Sequence, residues 1–157
     1  MRKKQIYKNR KLRQPDIKYQ SLTVGRFINY LMLKGEKSLA EKIFYQAFEN
    51  IKKQTQQEPL KVFEKALENV SPLLAVVSRR VGGANYQIPM EVRPERKFFL
   101  AGHWIIQAAR SRKGKTMAEN LAEEIIAASK NEGAAIKKKQ DMHRIAEANR
   151  AFAHFAR

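Results

Sequence analysis

The chain has 157 residues and a formal net charge of +17, and 43% of its residues are hydrophobic. This length and apolar content allow a buried core and exclude wholesale disorder. The charge favours a polyanionic partner, either a nucleic acid or an anionic membrane surface. Cysteine is absent, so disulfides and thiolate metal sites are excluded, and no apolar run has the length that a membrane span needs.

The first twenty residues are strongly basic, and their few apolar side chains show no regular period. We expect residues 1–20 to form a flexible N-terminal arm that becomes ordered on a phosphate backbone. A solvated tail without a binding role is the alternative. The arm contributes six candidate RNA-binding residues: Arg2, Lys3, Lys4, Lys8, Arg10 and Lys11.

Apolar residues then recur at helical spacing and predict three helices before residue 71. The first apolar stripe begins at Val24 and the second at Ala40, and Pro59 suits the first turn of the third helix. This helix should end before Pro72, because proline disfavours helical geometry in the preceding residue. Lysines and glutamates balance one another between residues 36 and 70, so we interpret these helices as scaffold.

The middle of the chain departs from the helical pattern. Two strand-like runs flank Gly82-Gly83, and glycine reaches positive φ without steric cost. The pattern predicts a β-hairpin over about 73–92, which must lean on helices at its base and project its basic tip. Tyr86 could stack on a base or pack across the ribbon. The ribbon contributes six candidate RNA-binding residues: Arg79, Arg80, Gly82, Gly83, Asn85 and Tyr86.

Three further helices are predicted after the hairpin. The fourth opens at Pro94 and runs to about Ser111, and the fifth follows a capping box formed by Thr116 and Glu119. The last begins near Ala134 and runs to the C-terminus. Basic clusters in this half add eight candidate RNA-binding residues: Arg110, Arg112, Lys113, Lys115, Lys137, Lys138, Lys139 and Arg144.

These elements predict a mainly α fold. We expect a six-helix bundle with one protruding β-hairpin between the third and fourth helices. Residues 1–20 would form the flexible basic arm, and residues 21–157 a single helical domain.

The sequence shows no convincing catalytic or metal-binding pattern. Gly114-Lys115-Thr116 resembles the end of a phosphate loop, but that motif needs glycine where Ala109 stands. The three histidines are too few and too widely separated for a metal site without cysteine. The sequence therefore predicts neither an enzyme nor a cofactor.

Four segments carry a recognisable pattern: residues 56–63, 78–90, 133–139 and 146–154, of which the Arg-Arg-Val-Gly-Gly-Ala-Asn-Tyr-Gln block at 79–87 is the most specific. Together they resemble the small-subunit ribosomal protein seven family in its bacterial or organellar form. The resemblance implies a structural protein that binds the 3′ major domain of small-subunit rRNA and organises assembly of the subunit head. Residues 137–139 would begin a final helix that faces the exit site in this family.

The same resemblance implies the protein's surroundings. Exit-site tRNA and the messenger RNA path would lie nearby, and neighbouring small-subunit proteins, notably protein eleven, would be in contact. The protein would be located in the cytoplasm within the small ribosomal subunit, or in the matrix or stroma of an organelle. No membrane partner is expected.

Two other classes of function remain open on the residues alone. An architectural DNA-binding protein with a β-arm is the main alternative, because basic helical bodies with such arms also bend duplex DNA. That mechanism needs an apolar or proline wedge, which Gly82-Gly83 does not supply. An enzyme acting on phosphorylated substrates is the third class, and the absence of a catalytic pattern opposes it.

Overall fold

The structure is a computed structural model that describes residues 15–156. Within these residues the chain is mainly helical, with one antiparallel β-hairpin between the third and fourth helices, as predicted. The α-helices are α1 (Leu22–Leu31), α2 (Lys37–Thr55), α3 (Pro59–Val70), α4 (Pro94–Ser111), α5 (Met117–Ser129) and α6 (Ala134–Ala148). The strands are β1 (Leu74–Val81) and β2 (Ala84–Glu91), and a 3-10 helix (Arg150–Ala156) follows α6.

The chain divides into two compact units, one ending at Glu41 and one beginning at Lys42. The first unit contains α1, whose apolar stripe includes the fully buried Val24 and Phe27. Just before this helix, the carboxylate of Asp16 accepts hydrogen bonds from the backbone N–H groups of Lys18 (3.1 Å) and Tyr19 (3.0 Å). Residues 16–19 therefore form a turn inside the predicted arm.

The core of the second unit begins with an aromatic cluster between α2 and α3. The Phe44 and Phe48 rings lie 4.2 Å apart, and each lies 5.6 Å from the Phe63 ring. All three side chains are fully buried. The helix α5 packs against both α3 and α4, and it contributes the fully buried Leu121 and Ile125. These contacts correspond to the helical stripes predicted from the sequence.

The last helix is shorter than predicted. It ends at Ala148 rather than continuing to the C-terminus. Its cap Asn149 donates a hydrogen bond from its side-chain amide to the carbonyl of Ile145 at 2.8 Å. The backbone N–H of Asn149 also donates to this carbonyl at 3.2 Å, and the chain continues as the 3-10 helix, in which the Phe152 N–H donates to the Asn149 carbonyl at 3.0 Å. None of the helices within residues 15–156 is long and apolar enough to cross a membrane.

Candidate nucleic-acid interface

The tip of the ribbon is a two-residue turn. Gly82 has a φ of 57° and Gly83 a φ of 93°, and Val81 pairs with Ala84 across the turn. A primed hairpin turn of type I′ requires positive φ at both central residues, and this twist matches that of the flanking strands. The predicted turn is confirmed. Both glycines are exposed, and the space where a Cβ atom would stand is open.

The two strands give the ribbon two chemically distinct faces. Arg79 lies opposite Tyr86, and Arg80 lies opposite Asn85. Because successive side chains of a strand alternate, these neighbouring pairs project from opposite faces. The register thus separates the two arginines onto opposite faces of the ribbon. Arg80 and Asn85 are both exposed.

The face that carries Arg79 and Tyr86 contacts the C-terminal 3-10 helix. The Tyr86 ring lies 5.0 Å from the Phe152 ring and 5.5 Å from the Phe155 ring. Arg79 Nη1 donates a hydrogen bond to the carbonyl of Phe155 at 2.9 Å. Tyr86 therefore packs on the C-terminal segment, an arrangement that neither sequence interpretation of this residue contained.

The base of the ribbon is joined to α6 by a histidine. The backbone N–H of Leu73 donates to His143 Nε2 at 3.1 Å, so this nitrogen is the unprotonated acceptor. Burial is the main reason why the pKa of His143 lies below its ordinary value, and the nearby Lys139 charge lowers the pKa further. Ile88 is buried on the same ribbon. Polar and apolar contacts together therefore hold the base of the ribbon against the helical body.

The basic loop between α4 and α5 has a structural role in addition to its charge. Arg112 Nη2 donates to the fully buried carboxylate of Glu124 at 2.6 Å, and Arg112 Nη1 donates to Glu123 at 2.9 Å. Lys115 also forms an ion pair with Glu123. These cations lower the pKa of Glu123, and the hydrogen bond from Lys115 is the largest cause. Lys113 is exposed.

Glu124 connects this loop to the start of α6. Its second carboxylate oxygen accepts a hydrogen bond from the backbone N–H of Ala135 at 2.9 Å. A carboxylate is stabilised at a helix N-terminus by the exposed backbone donors and the helix dipole. The preceding Gly133 has a φ of 97°, and a Cβ atom there would approach Glu124 Oε1 to 2.9 Å. The predicted Thr116–Glu119 capping box begins α5 as expected.

The three lysines at the start of α6 lie in different environments. Lys139 Nζ donates to the carbonyl of Asn69 near the end of α3 at 2.6 Å. Lys138 Nζ donates to the side chain of Gln107 on α4 at 2.8 Å, whereas Lys137 is exposed. Further along α6, Arg144 forms an exposed ion pair with Asp141 at 3.0 Å. Two of the three lysines thus also connect helices.

A stacked group on α4 was missed by the sequence reasoning. The Arg96 guanidinium lies 4.6 Å from the centre of the Phe99 ring, and the His103 ring lies 4.0 Å from Phe99. Their spacing of three and four residues places them along one side of the helix. That spacing was visible in the sequence. The cation–π contact holds a guanidinium on the surface, which adds Arg96 to the candidate interface.

Residues 110–115, residues 137–139 and the ribbon all belong to the second unit. The arm candidates Arg2, Lys3, Lys4, Lys8, Arg10 and Lys11 lie outside the described residues. Within residues 15–156, His, Asp and Glu side chains form no group of three or more that could hold a metal ion.

Comparison with known proteins decides the family. Residues 1–150 match the family model described as ribosomal protein S7p/S5e. This chain belongs to the ribosomal protein S7p/S5e family. It is 58% identical, over 142 residues and 90% of each chain, to small ribosomal subunit protein uS7 of Francisella tularensis subsp. holarctica strain OSU18. It is 57% identical, over the same length and shares, to the uS7 protein of subsp. novicida strain U112. The family resemblance predicted from the sequence is confirmed.

Proposed function

We propose that the protein is a structural, rRNA-binding component of the small ribosomal subunit and takes part in translation. The observation that carries this proposal is the family match over residues 1–150, together with relatives named as small ribosomal subunit proteins. The family consists of ribosomal proteins and is not a family of enzymes. The net charge of +17 suits binding to a phosphate backbone. Because the relatives are bacterial, we place the protein in the ribosome of the cytoplasm.

The RNA target that we propose is the 3′ major domain of the small-subunit rRNA. The protein would organise assembly of the subunit head beside exit-site tRNA and the messenger RNA path, with small-subunit protein eleven as a neighbour. The exposed ribbon tip supports this proposal because its bare glycine backbone permits close approach, while Arg80 and Asn85 offer planar hydrogen-bonding groups. Arginine can bridge phosphates in a bidentate manner and stack on bases.

The candidate residues divide into three roles under this proposal. Lys113, Lys137 and the arm residues would supply phosphate contacts, which position RNA without reading its sequence. Arg112 and Lys115 would chiefly hold the loop in shape, because their cationic groups already contact carboxylates. The ribbon tip would supply the contacts that distinguish one RNA structure from another.

A salt titration tests the proposal. Affinity for a 3′ major domain rRNA fragment should fall linearly on a log–log plot against salt concentration, and about a fourfold increase in salt should lower it by orders of magnitude. Replacing the exposed Lys113 by glutamine should reduce the slope by about one phosphate contact. Lys61 on α3 is a matched control, because it is exposed but forms an ion pair with Glu58 at 2.9 Å on the scaffold.

Co-sedimentation with small ribosomal subunits after a mild salt wash is the second measurement. A protein that binds the fragment with a nearly flat salt dependence would contradict the electrostatic part of the proposal. Equal loss of affinity in the Lys113→Gln and Lys61→Gln variants would show that Lys113 in the loop contributes no more to RNA binding than a lysine on the scaffold.

A further inference from the structure

The segment after α6, Arg150–Ala156, lies on the Arg79/Tyr86 face of the ribbon and is here called the cover. Phe152 and Phe155 are three residues apart, and side chains at this spacing are aligned in a 3-10 helix. Both rings consequently reach Tyr86, at 5.0 and 5.5 Å. The hydrogen bond from Arg79 Nη1 to the Phe155 carbonyl occupies one edge of the guanidinium. The cover therefore engages both the charged and the aromatic group of this face.

The other face of the ribbon has a different environment. Arg80 and Asn85 form the adjacent pair of the register and are exposed. Arg79 is exposed as well, but its guanidinium donates to the Phe155 carbonyl, and Tyr86 is only partly exposed beside the cover. An RNA that meets the ribbon can reach this face directly, whereas Arg79 and Tyr86 already have partners in the cover. The two faces of the candidate ribbon interface thus differ in their contacts with the cover, although their residues are neighbours in the sequence.

Three properties of the cover allow RNA to replace its contacts with the ribbon. A 3-10 helix longer than three or four residues is uncommon because its hydrogen bonds have poorer geometry, and this one has seven residues. Phe152, Phe155 and Tyr86 remain partly exposed. Residues 150–157 contain no Asp or Glu but two arginines. An approaching polyanion therefore meets no carboxylate in the cover, and a base can replace the phenylalanine rings as a stacking partner of Tyr86.

We propose that the cover is an intramolecular competitor of RNA, and that it binds the Arg79 guanidinium and covers part of the Tyr86 ring until RNA displaces it. This inference rests on the proposed function. When only a fraction of the protein is in the open, binding-competent state, the apparent affinity falls by that fraction. The cover therefore weakens non-cognate contacts with this face, and only an RNA that offers both phosphate and a stackable base replaces it.

The first test removes the aromatic contacts and keeps the charge. The double variant Phe152→Ala/Phe155→Ala retains Arg150, His154 and Arg157, so its electrostatic attraction to RNA is unchanged. We expect it to bind the 3′ major domain rRNA fragment about fivefold more tightly, since an aromatic pair contributes a factor of that order. The matched control is Ile145→Ala, which truncates an exposed apolar side chain of α6 and should leave the affinity unchanged. Circular dichroism and thermal melting establish that each variant is folded.

The second test observes the cover directly. The chain contains no cysteine, so the variant Glu64→Cys/Ala153→Cys accepts two spin labels at exposed positions on α3 and on the cover. Without RNA, adding Phe152→Ala/Phe155→Ala should lengthen or broaden the distance distribution. Saturating the labelled parent with the rRNA fragment should produce the same change.

The outcomes separate the two proposals. A fragment that binds none of the proteins would overturn the proposed function. Normal binding with an unchanged or weaker affinity in the phenylalanine variant, or a distance distribution that RNA leaves unaltered, would overturn the cover alone.

Discussion

The loop after α4 and the tip of the ribbon carry similar sequences, in which arginines or lysines stand beside a glycine turn. In the loop, Arg112 and Lys115 contact the carboxylates of Glu123 and Glu124. At the ribbon tip, Arg80 is exposed. Its side chain projects from the face opposite Arg79, and therefore away from the cover, because successive side chains of a strand alternate. Local charge density therefore does not distinguish a cation that pairs with carboxylates of the same chain from one that is exposed. The carboxylates that make the difference come from α5, which is remote from the ribbon in the sequence.

The largest expected effect concerns the structural side of this comparison. Arg112→Ala should lower the free energy of unfolding by about 3 kcal/mol, because it leaves the buried Glu124 charge without its cationic partner. Chemical denaturation measures this loss. The neighbouring Lys113→Ala is the matched control and should change stability by less than about 0.5 kcal/mol, as expected for an exposed residue.

Adding Glu124→Gln to Arg112→Ala tests the cause. This substitution removes the buried charge and keeps an oxygen that can accept from Ala135, so it should restore part of the lost stability. If Arg112→Ala has the same free energy of unfolding as the parent protein, the loop cations do not stabilise the fold, and the contrast between the loop and the ribbon tip is wrong.

An intermediate effect is expected on the binding side. Replacing Arg79 and Arg80 together by lysine should preserve the fold and most of the salt dependence, but should cost about 1–3 kcal/mol of specific rRNA binding through lost bidentate contacts. Arg80→Lys should account for more of this loss than Arg79→Lys, because Arg79 must first leave the Phe155 carbonyl. Competition between the rRNA fragment and an unrelated duplex measures the discrimination.

The single-lysine variants serve as each other's controls, since charge and strand position are matched. Equal discrimination by the double variant and the parent protein would show that the tip is only an electrostatic patch.

The smallest effect is a pH dependence at the base of the ribbon. The pKa of His143 in the folded protein lies below the ordinary histidine value of 6.5. In the pH range between these two values, the unfolded chain binds more protons than the folded protein, so stability falls as the pH is lowered. The contribution of neutral His143 is fully present above pH 6.5 and is lost below it. Protonation also removes the acceptor for the Leu73 N–H.

Thermal melting between pH 5 and pH 8 measures this dependence. His143→Gln is the control, because a glutamine side chain does not titrate in this range. A plot of the variant's stability against pH should therefore lack the part of the slope that His143 contributes. Identical pH profiles for the variant and the parent protein would show that the contact from His143 to Leu73 does not anchor the ribbon.

Much of the fold was predictable because the relevant forces act between residues that are close in the sequence. Helical periodicity identified the stripes of α1 to α5, and Pro94 and Thr116 marked the starts of α4 and α5. Gly82-Gly83 specified the hairpin turn for a local reason, the steric freedom of glycine at positive φ. The end of α6 was mispredicted, because the apolar spacing there is too loose to decide and no proline or glycine marks the change to 3-10 hydrogen bonds at Asn149.

The sequence by itself determined the family, the helical class, the hairpin and the excess of positive charge, since each depends on residue identity and short-range spacing. Only the tertiary structure decided which cations are compensated. Glu124 on α5 contacts both Arg112 in the preceding loop and Ala135 at the start of α6, which lie 12 and 11 residues away in the chain. Phe152 and Phe155 reach Tyr86 because the chain turns after Asn149. These contacts join residues that are distant in the sequence, and no local pattern records such a pairing, because packing of the whole chain brings the partners together.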